Sequence, residues 1–144
     1  MHKTRFFSFL FLVLICFSTN SYPQKKTLQK NEIEKLIKEA VENWKINDYE
    51  KSLKQSRIAL KQAIEINDNY LISYSYNTIG LNFDDLIMLD KALIFYHKAL
   101  YYGDKTDNSL LKAKIHNNLG NTYFFYKKEY QKGINHYQKS LEYS

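Results

Sequence analysis

Cysteine, proline and glycine are scarce in this chain, and each shortage removes a class of structure. The one cysteine, Cys16, lies in an apolar N-terminal stretch, so no disulfide framework can hold the fold and packing alone must do it. Ile15 precedes it where lipid attachment requires a small residue. The one proline, Pro23, lies near the N-terminus, and four glycines serve 144 residues. The body therefore lacks the breakers that strands and tight hairpins need, and the composition favours helix. Strong charge of one sign is also missing. Lys and Arg number 21 against 15 Asp and Glu, and from Tyr22 onward, without Lys3 and Arg5, the ratio is 19 to 15. No run of five basic residues occurs there, so the electrostatic stripe of a nucleic-acid binder is absent. The excess reads as solubility, and nucleic acid is not expected as a partner.

One long apolar run is present. His2, Lys3 and Arg5 precede an unbroken apolar stretch from Phe9 to Phe17, followed by Ser18, Thr19, Asn20 and Ser21. That order is the pattern of a secretory signal peptide over residues 1–21, with cleavage near Ser21. The apolar core is shorter than the roughly 20 residues a spanning helix needs. The expectation is an exported chain, periplasmic or extracellular, touching a membrane only through this segment if it stays uncleaved. Residues 22–30 read as a flexible, solvated leader.

The remainder repeats itself. Tyr76-Asn77-Thr78-Ile79-Gly80-Leu81-Asn82-Phe83 aligns with His116-Asn117-Asn118-Leu119-Gly120-Asn121-Thr122-Tyr123, with Gly80 and Gly120 forty residues apart. Forty residues earlier stands Ala40, again small. The second half of each unit follows suit: Ser52-Leu53, Ala92-Leu93 and Gly133-Ile134 correspond, as do Ala59-Leu60, Ala99-Leu100 and Ser140-Leu141. The last unit holds one additional residue, placed by this reading in the turn from Tyr126 to Glu129. Three units of about 31–68, 69–108 and 109–144 result. Caps and turns predict helices over 31–46, 49–66, 69–83, 91–102, 109–126 and from 129 onward, with Asp48, Asp68, Asp90 and Asn108 as N-caps and Gly103 as a helix stop.

This pattern of a large aromatic, a Leu-Gly pair, a second aromatic and spaced small residues resembles the tetratricopeptide repeat, in a form longer than the usual 34 residues. Unit two matches best, through Tyr76, Ile79-Gly80, Phe83, Ala92, Tyr96 and Ala99. Unit three follows with His116, Leu119-Gly120, Tyr123, Gly133, Tyr137 and Ser140. Unit one is degenerate: Glu39, Asn43 and Ser56 stand where the family prefers apolar or aromatic residues, and the family's proline after the second helix is missing throughout. The resemblance implies an all-α fold, a right-handed superhelical array of three helical hairpins, and a protein-binding scaffold without catalysis. Close helix approach explains the small residues, with Gly80 expected to face Ala92.

Catalytic and metal constellations are not found in the sequence. His97, His116 and His136 are not spaced i, i+3 or i+4, so none pairs as a ligand on one helix. His116 reads as a packing aromatic and the other two as half-exposed surface residues. No phosphate loop or activated nucleophile motif occurs, no cofactor is implied, and Asp84-Asp85 reads as a solvated corner.

The resemblance places function on a concave surface lined by the first helix of each hairpin. The candidates there are Ile37, Val41 and Trp44, then Tyr74, Asn77 and Leu81, then Lys114, Asn117, Asn121 and Phe124. Asn77 and Asn117 hold equivalent places, and side-chain amides that donate and accept at once suit an extended peptide or protein segment. The aromatics supply apolar anchors. The second helix of unit three has no polar cap after it, so its apolar face around Tyr137 and Leu141 is expected to meet a partner or a second copy. A second reading makes the chain the exported sensory region of a larger signal-transduction protein, a histidine kinase or a transcription regulator, as the resemblance also implies.

Overall fold

Amphipathic spacing and side-chain caps punctuate the chain into helices wherever the sequence offers them. In the computed structural model the backbone is described from Lys3 and the side chains from Gln24. No strand occurs among the described residues, and the protein is all-α. The helices are α1 (Lys3–Lys45), α2 (Tyr49–Glu65), α3 (Asn69–Asp85), α4 (Leu89–Gly103), α5 (Ser109–Asn121) and α6 (Tyr130–Glu142), with a π turn at Thr122–Tyr126 between the last two. The chain divides into two units, Met1–Glu32 and Ile33–Ser144. All packing described below belongs to the second. The signal-segment reading of residues 1–21 falls on side chains outside the described residues. Residues 24–29, expected in a flexible leader, are solvent-exposed as expected but helical. Among the described residues, no helix is long and apolar enough to cross a membrane.

Three of the four expected N-caps form. The carboxylates of Asp48 and Asp68 accept from the backbone N–H of Lys51 and Leu71, and the Asn108 side-chain oxygen accepts from Leu111, each three residues on. Each bond satisfies a helix-end donor that would otherwise have no partner. Asp90 does not cap: α4 begins two residues earlier than predicted, at Leu89, and places Asp90 in its first turn. Gly103 is not a left-handed stop either. It is the last helical residue of α4, fully packed, and a Cβ there would stand 3.1 Å from the Ser73 hydroxyl.

The helix ends repeat one device. Asn47, Asn67 and Ile87 each take a left-handed conformation, with φ of 62°, 52° and 57°. The N–H of the next residue then reaches back five positions, as from Met88 to the Phe83 carbonyl at 2.8 Å. This satisfies the final carbonyls of the helix. Asparagine tolerates the conformation, but a β-branched side chain crowds the following carbonyl at a cost of about 1–2 kcal/mol. Ile87 is 64 % exposed and so has little packing to lose. Ile87→Asn is therefore expected to stabilise the chain by about 1 kcal/mol, visible as a higher urea midpoint at unchanged slope. No change or a loss would show that the isoleucine makes a contact of its own.

The additional residue of the third hairpin does not enlarge the turn, as the sequence reading placed it. It is absorbed inside the first helix as the π turn at Thr122–Tyr126, the way a helix accommodates a single insertion without losing its hydrogen-bond ladder.

Two buried clusters run along the array. One gathers Ile33, Ile37, Ala59, Ala63, Leu71 and Ile72 between α1, α2 and α3. The other gathers Ile79, Phe83, Ala92, Tyr96, Ala99, Leu111, Ile115 and Leu119 between α3, α4 and α5. Over Gly80 lies the ring of Tyr96, and a Cβ there would stand 2.6 Å from two ring carbons. Tyr137 covers Gly120 in the same way. Of the polar substitutions of unit one, Glu39 and Asn43 join Gln55 in a network, and Ser56 bonds within its own helix. Asn43 donates to the Gln55 amide oxygen at 2.6 Å, Gln55 donates to Glu39, and the Ser56 hydroxyl returns to the Ser52 carbonyl.

Candidate functional site

Consecutive first helices, α1, α3 and α5, present one side chain per turn to a common open surface, because residues four apart on a helix share a face. A concavity of about 350 Å³ opens there. Val41 and Trp44 of α1, Tyr74, Asn77 and Leu81 of α3, and Lys114 and Asn117 of α5 all line it. Leu110, Ala113 and Asn118 of α5 extend it, and Ser140 and Ser144 close one side. Val41, Trp44, Tyr74 and Leu81 give it apolar surface on α1 and α3, and Lys114, Asn117 and Asn118 give it polar groups on α5. The lining carries one cation, Lys114, and no acidic side chain. The indole N–H of Trp44 is buried without a protein acceptor.

Three predicted residues do not line this concavity. Ile37 is fully buried in the first core cluster, one helical turn before Val41 on the packed side of α1. Asn121 is half-buried, and its side-chain oxygen accepts from the Tyr137 hydroxyl at 2.8 Å. Phe124 lies within the π turn, which rotates it onto α6, with ring centroids 5.1 Å from Tyr130 and 6.1 Å from Tyr137. The pairing of asparagines also differs from expectation. Asn77 is buried, and its oxygen accepts from the neighbouring Asn118 at 2.9 Å. Asn117 points to solvent. The Asn77–Asn118 bond ties α3 to α5 beneath the groove, which leaves Asn117 as the amide open to a ligand.

Aromatic packing behind the groove contains a group that sequence spacing could not reveal. His97, His116 and His136 come from three different helices. Nδ1 of His116 lies 2.9 Å from Nδ1 of His136, and His97 Nε2 lies 3.1 Å from the Tyr123 hydroxyl. Burial holds all three imidazoles below the ordinary histidine value, His136 at about 4. Lys139 and the neighbouring imidazoles push His136 the same way, whereas Asp104 and Glu142 act in the opposite sense on His116. Among the described residues, no group of three or more His, Cys, Asp or Glu side chains is arranged to hold a metal ion. Asp84, read from sequence as a solvated corner, is buried. It accepts from the Thr122 hydroxyl at 3.0 Å, and burial raises its carboxyl above the usual range.

The chain matches no family model and no curated protein sequence, so the tetratricopeptide resemblance rests on its own residues.

Proposed function

We propose that this protein is an exported, non-catalytic scaffold of the tetratricopeptide kind, a superhelical array that holds an extended peptide or protein segment in the groove of α1, α3 and α5. The observation carrying this reading is that the first helices of three successive hairpins line one concavity, with Val41 and Leu81, Tyr74 and Lys114, and Asn77 and Asn117 as equivalent pairs. Aromatic and aliphatic side chains at one end suit an apolar anchor of the ligand, and such anchors supply most interface energy. The exposed amide of Asn117 suits a peptide backbone, to which it can donate and from which it can accept. No cofactor enters this reading.

Trp44 is the only tryptophan and lines the groove, so its emission reports occupancy directly. Peptides selected from a random display library against the chain are expected to change that emission on binding. Asn117→Ala and Lys114→Ala, both at solvent-exposed positions, should each weaken binding by roughly fivefold, the worth of one net hydrogen bond of about 1 kcal/mol. Selected peptides that leave Trp44 emission unchanged and bind both variants as tightly as the parent would place the ligand elsewhere.

The outer face of α6 favours a second reading, in which this array is the sensory region of a larger signalling protein or associates with a second copy. Leu93 and Leu100 of α4 are half-buried beneath the next hairpin, whereas their counterparts Ile134 and Leu141 are 39 % and 76 % exposed. Light scattering over a concentration series separates the cases: a mass that rises with concentration supports self-association through this face, and a constant monomer mass counts against it.

A further inference from the structure

The second hairpin and the third share one aromatic network, built with different chemistry. In the second, Tyr76 meets Phe95 at a ring separation of 6.1 Å, Phe95 stacks on Phe83 at 5.3 Å, and Tyr76 stacks on Tyr102 at 5.8 Å. In the third, His116 meets His136 at 5.2 Å, His136 stacks on Tyr123 at 5.5 Å, and His116 stacks on Tyr143 at 5.7 Å. Each ring of the first set has its counterpart 40 or 41 residues later. Two rings that stay uncharged at acidic and neutral pH are thus replaced, at their mutual contact, by two that can take up a proton.

We propose that the His116–His136 pair is a proton-operated latch that holds α6 on α5 at neutral pH and releases it on acidification. A 2.9 Å contact between two Nδ1 atoms requires one imidazole to donate and the other to accept, so at most one of the two rings can carry a second proton while the contact lasts. When both are charged, the bond becomes a repulsion between like charges. The surroundings add to that repulsion more than they relieve it. His97 of α4 lies 6.5 Å from His136, ring to ring. Lys139 of α6 lowers the affinity of both rings for protons, Lys132 of α6 stands over Tyr123, and Lys112 of α5 stands over Tyr143. Asp104, just after α4, and Glu142 of α6 are the opposing carboxylates, and both act on His116.

Because the folded chain holds these imidazoles below the ordinary value of 6.5, the opened or unfolded state binds more protons under acidic conditions. The latch is at full strength above pH 6.5 and weakens as pH falls from there toward about 4, the His136 value. Release matters for the groove because Ser140 and Ser144 form one of its walls. That consequence rests on the groove reading; the latch itself does not.

Amide hydrogen exchange on the whole chain, without any ligand, tests the latch separately from peptide binding. Relative to α2, which carries no histidine, and after correction for intrinsic chemistry, α6 amides are expected to exchange at least about tenfold faster at pH 5 than at pH 7.5. The variant His116→Tyr with His136→Phe carries the rings of the second hairpin and should lose this acceleration. Equal α6 protection at both pH values, or the same acceleration in the variant, overturns the proposal. If the variant does not fold, NMR titration of the unaltered chain decides. Two interacting steps, with His136 well below the ordinary value, support the latch, and two independent transitions near pH 6.5 refute it.

Discussion

Replacing Tyr96 by alanine is expected to cost about 3–5 kcal/mol, the range for removing a large ring from a closed core. Tyr96 has no solvent exposure and lies directly over Gly80, so the space it leaves cannot be filled from outside. Gly80→Ala attacks the same contact from the other side. Alanine is ordinarily the better helix residue by roughly 0.5–1 kcal/mol, but here its methyl would stand 2.6 Å from two carbons of a ring that is buried all round. Overpacking of that kind costs about 1–3 kcal/mol, so a net loss is expected. The coupling between the two sites is the more telling quantity. Once Tyr96→Ala has emptied the space, Gly80→Ala should become neutral or stabilising, and the double variant should be more stable than the sum of the singles predicts. Strict additivity in urea unfolding would show that Gly80 is small for another reason. The chain carries its own version of this exchange: where the first unit has Ser56 in place of Tyr96, it has Ala40 in place of Gly80, both fully buried.

Gly133→Ala is expected to lose about 2–3 kcal/mol, although the equivalent position in the second hairpin is already alanine, Ala92. The difference lies in what the new methyl meets. At Gly133 a Cβ would stand 2.7 Å from the Phe124 Cβ, 3.0 Å from the Phe124 backbone nitrogen and 3.1 Å from the Gly120 carbonyl oxygen. Backbone cannot turn aside as a side-chain tip can. The π turn at Thr122–Tyr126 brings that backbone in, so the glycine and the additional residue belong together. At about 2–4 °C per kcal/mol for a chain of this size, the thermal midpoint should fall by roughly 4–12 °C. A midpoint as high as that of the parent would mean that the π turn relaxes to accept the methyl, and that the third hairpin is more adaptable than its packing indicates.

The sequence by itself determined the helical class, the order of the helices, their boundaries to within about two residues except at the start of α1, and the forty-residue period. Those are local properties: the shortage of breakers, the spacing of apolar residues and the caps at Asp48, Asp68 and Asn108 act within a few residues of chain. Seven of the ten candidate residues line the concavity of α1, α3 and α5, since residues a turn apart on equivalent helices share a face. Ile37 lies in the core instead, because a 3.6-residue period does not show where the boundary between packed and open faces falls at the first hairpin. Phe124 lies against α6 because one inserted residue, not legible as a π turn in sequence, falls within Thr122–Tyr126, and Asn121 is taken up by the Tyr137 hydroxyl.

Other features were decided by tertiary structure alone. The pairing of Asn77 with Asn118, the ring of Tyr96 over Gly80 and the burial of Asp84 depend on which helices become neighbours. His97, His116 and His136 have no telling spacing, because each comes from a different helix and only packing brings them together. One sign of their role was present in the sequence: aligning the hairpins sets His116 against Tyr76 and His136 against Phe95. That alignment becomes informative only once the structure shows that Tyr76 and Phe95 touch. Periodicity reports which residues are equivalent, and contact across helices decides what that equivalence does.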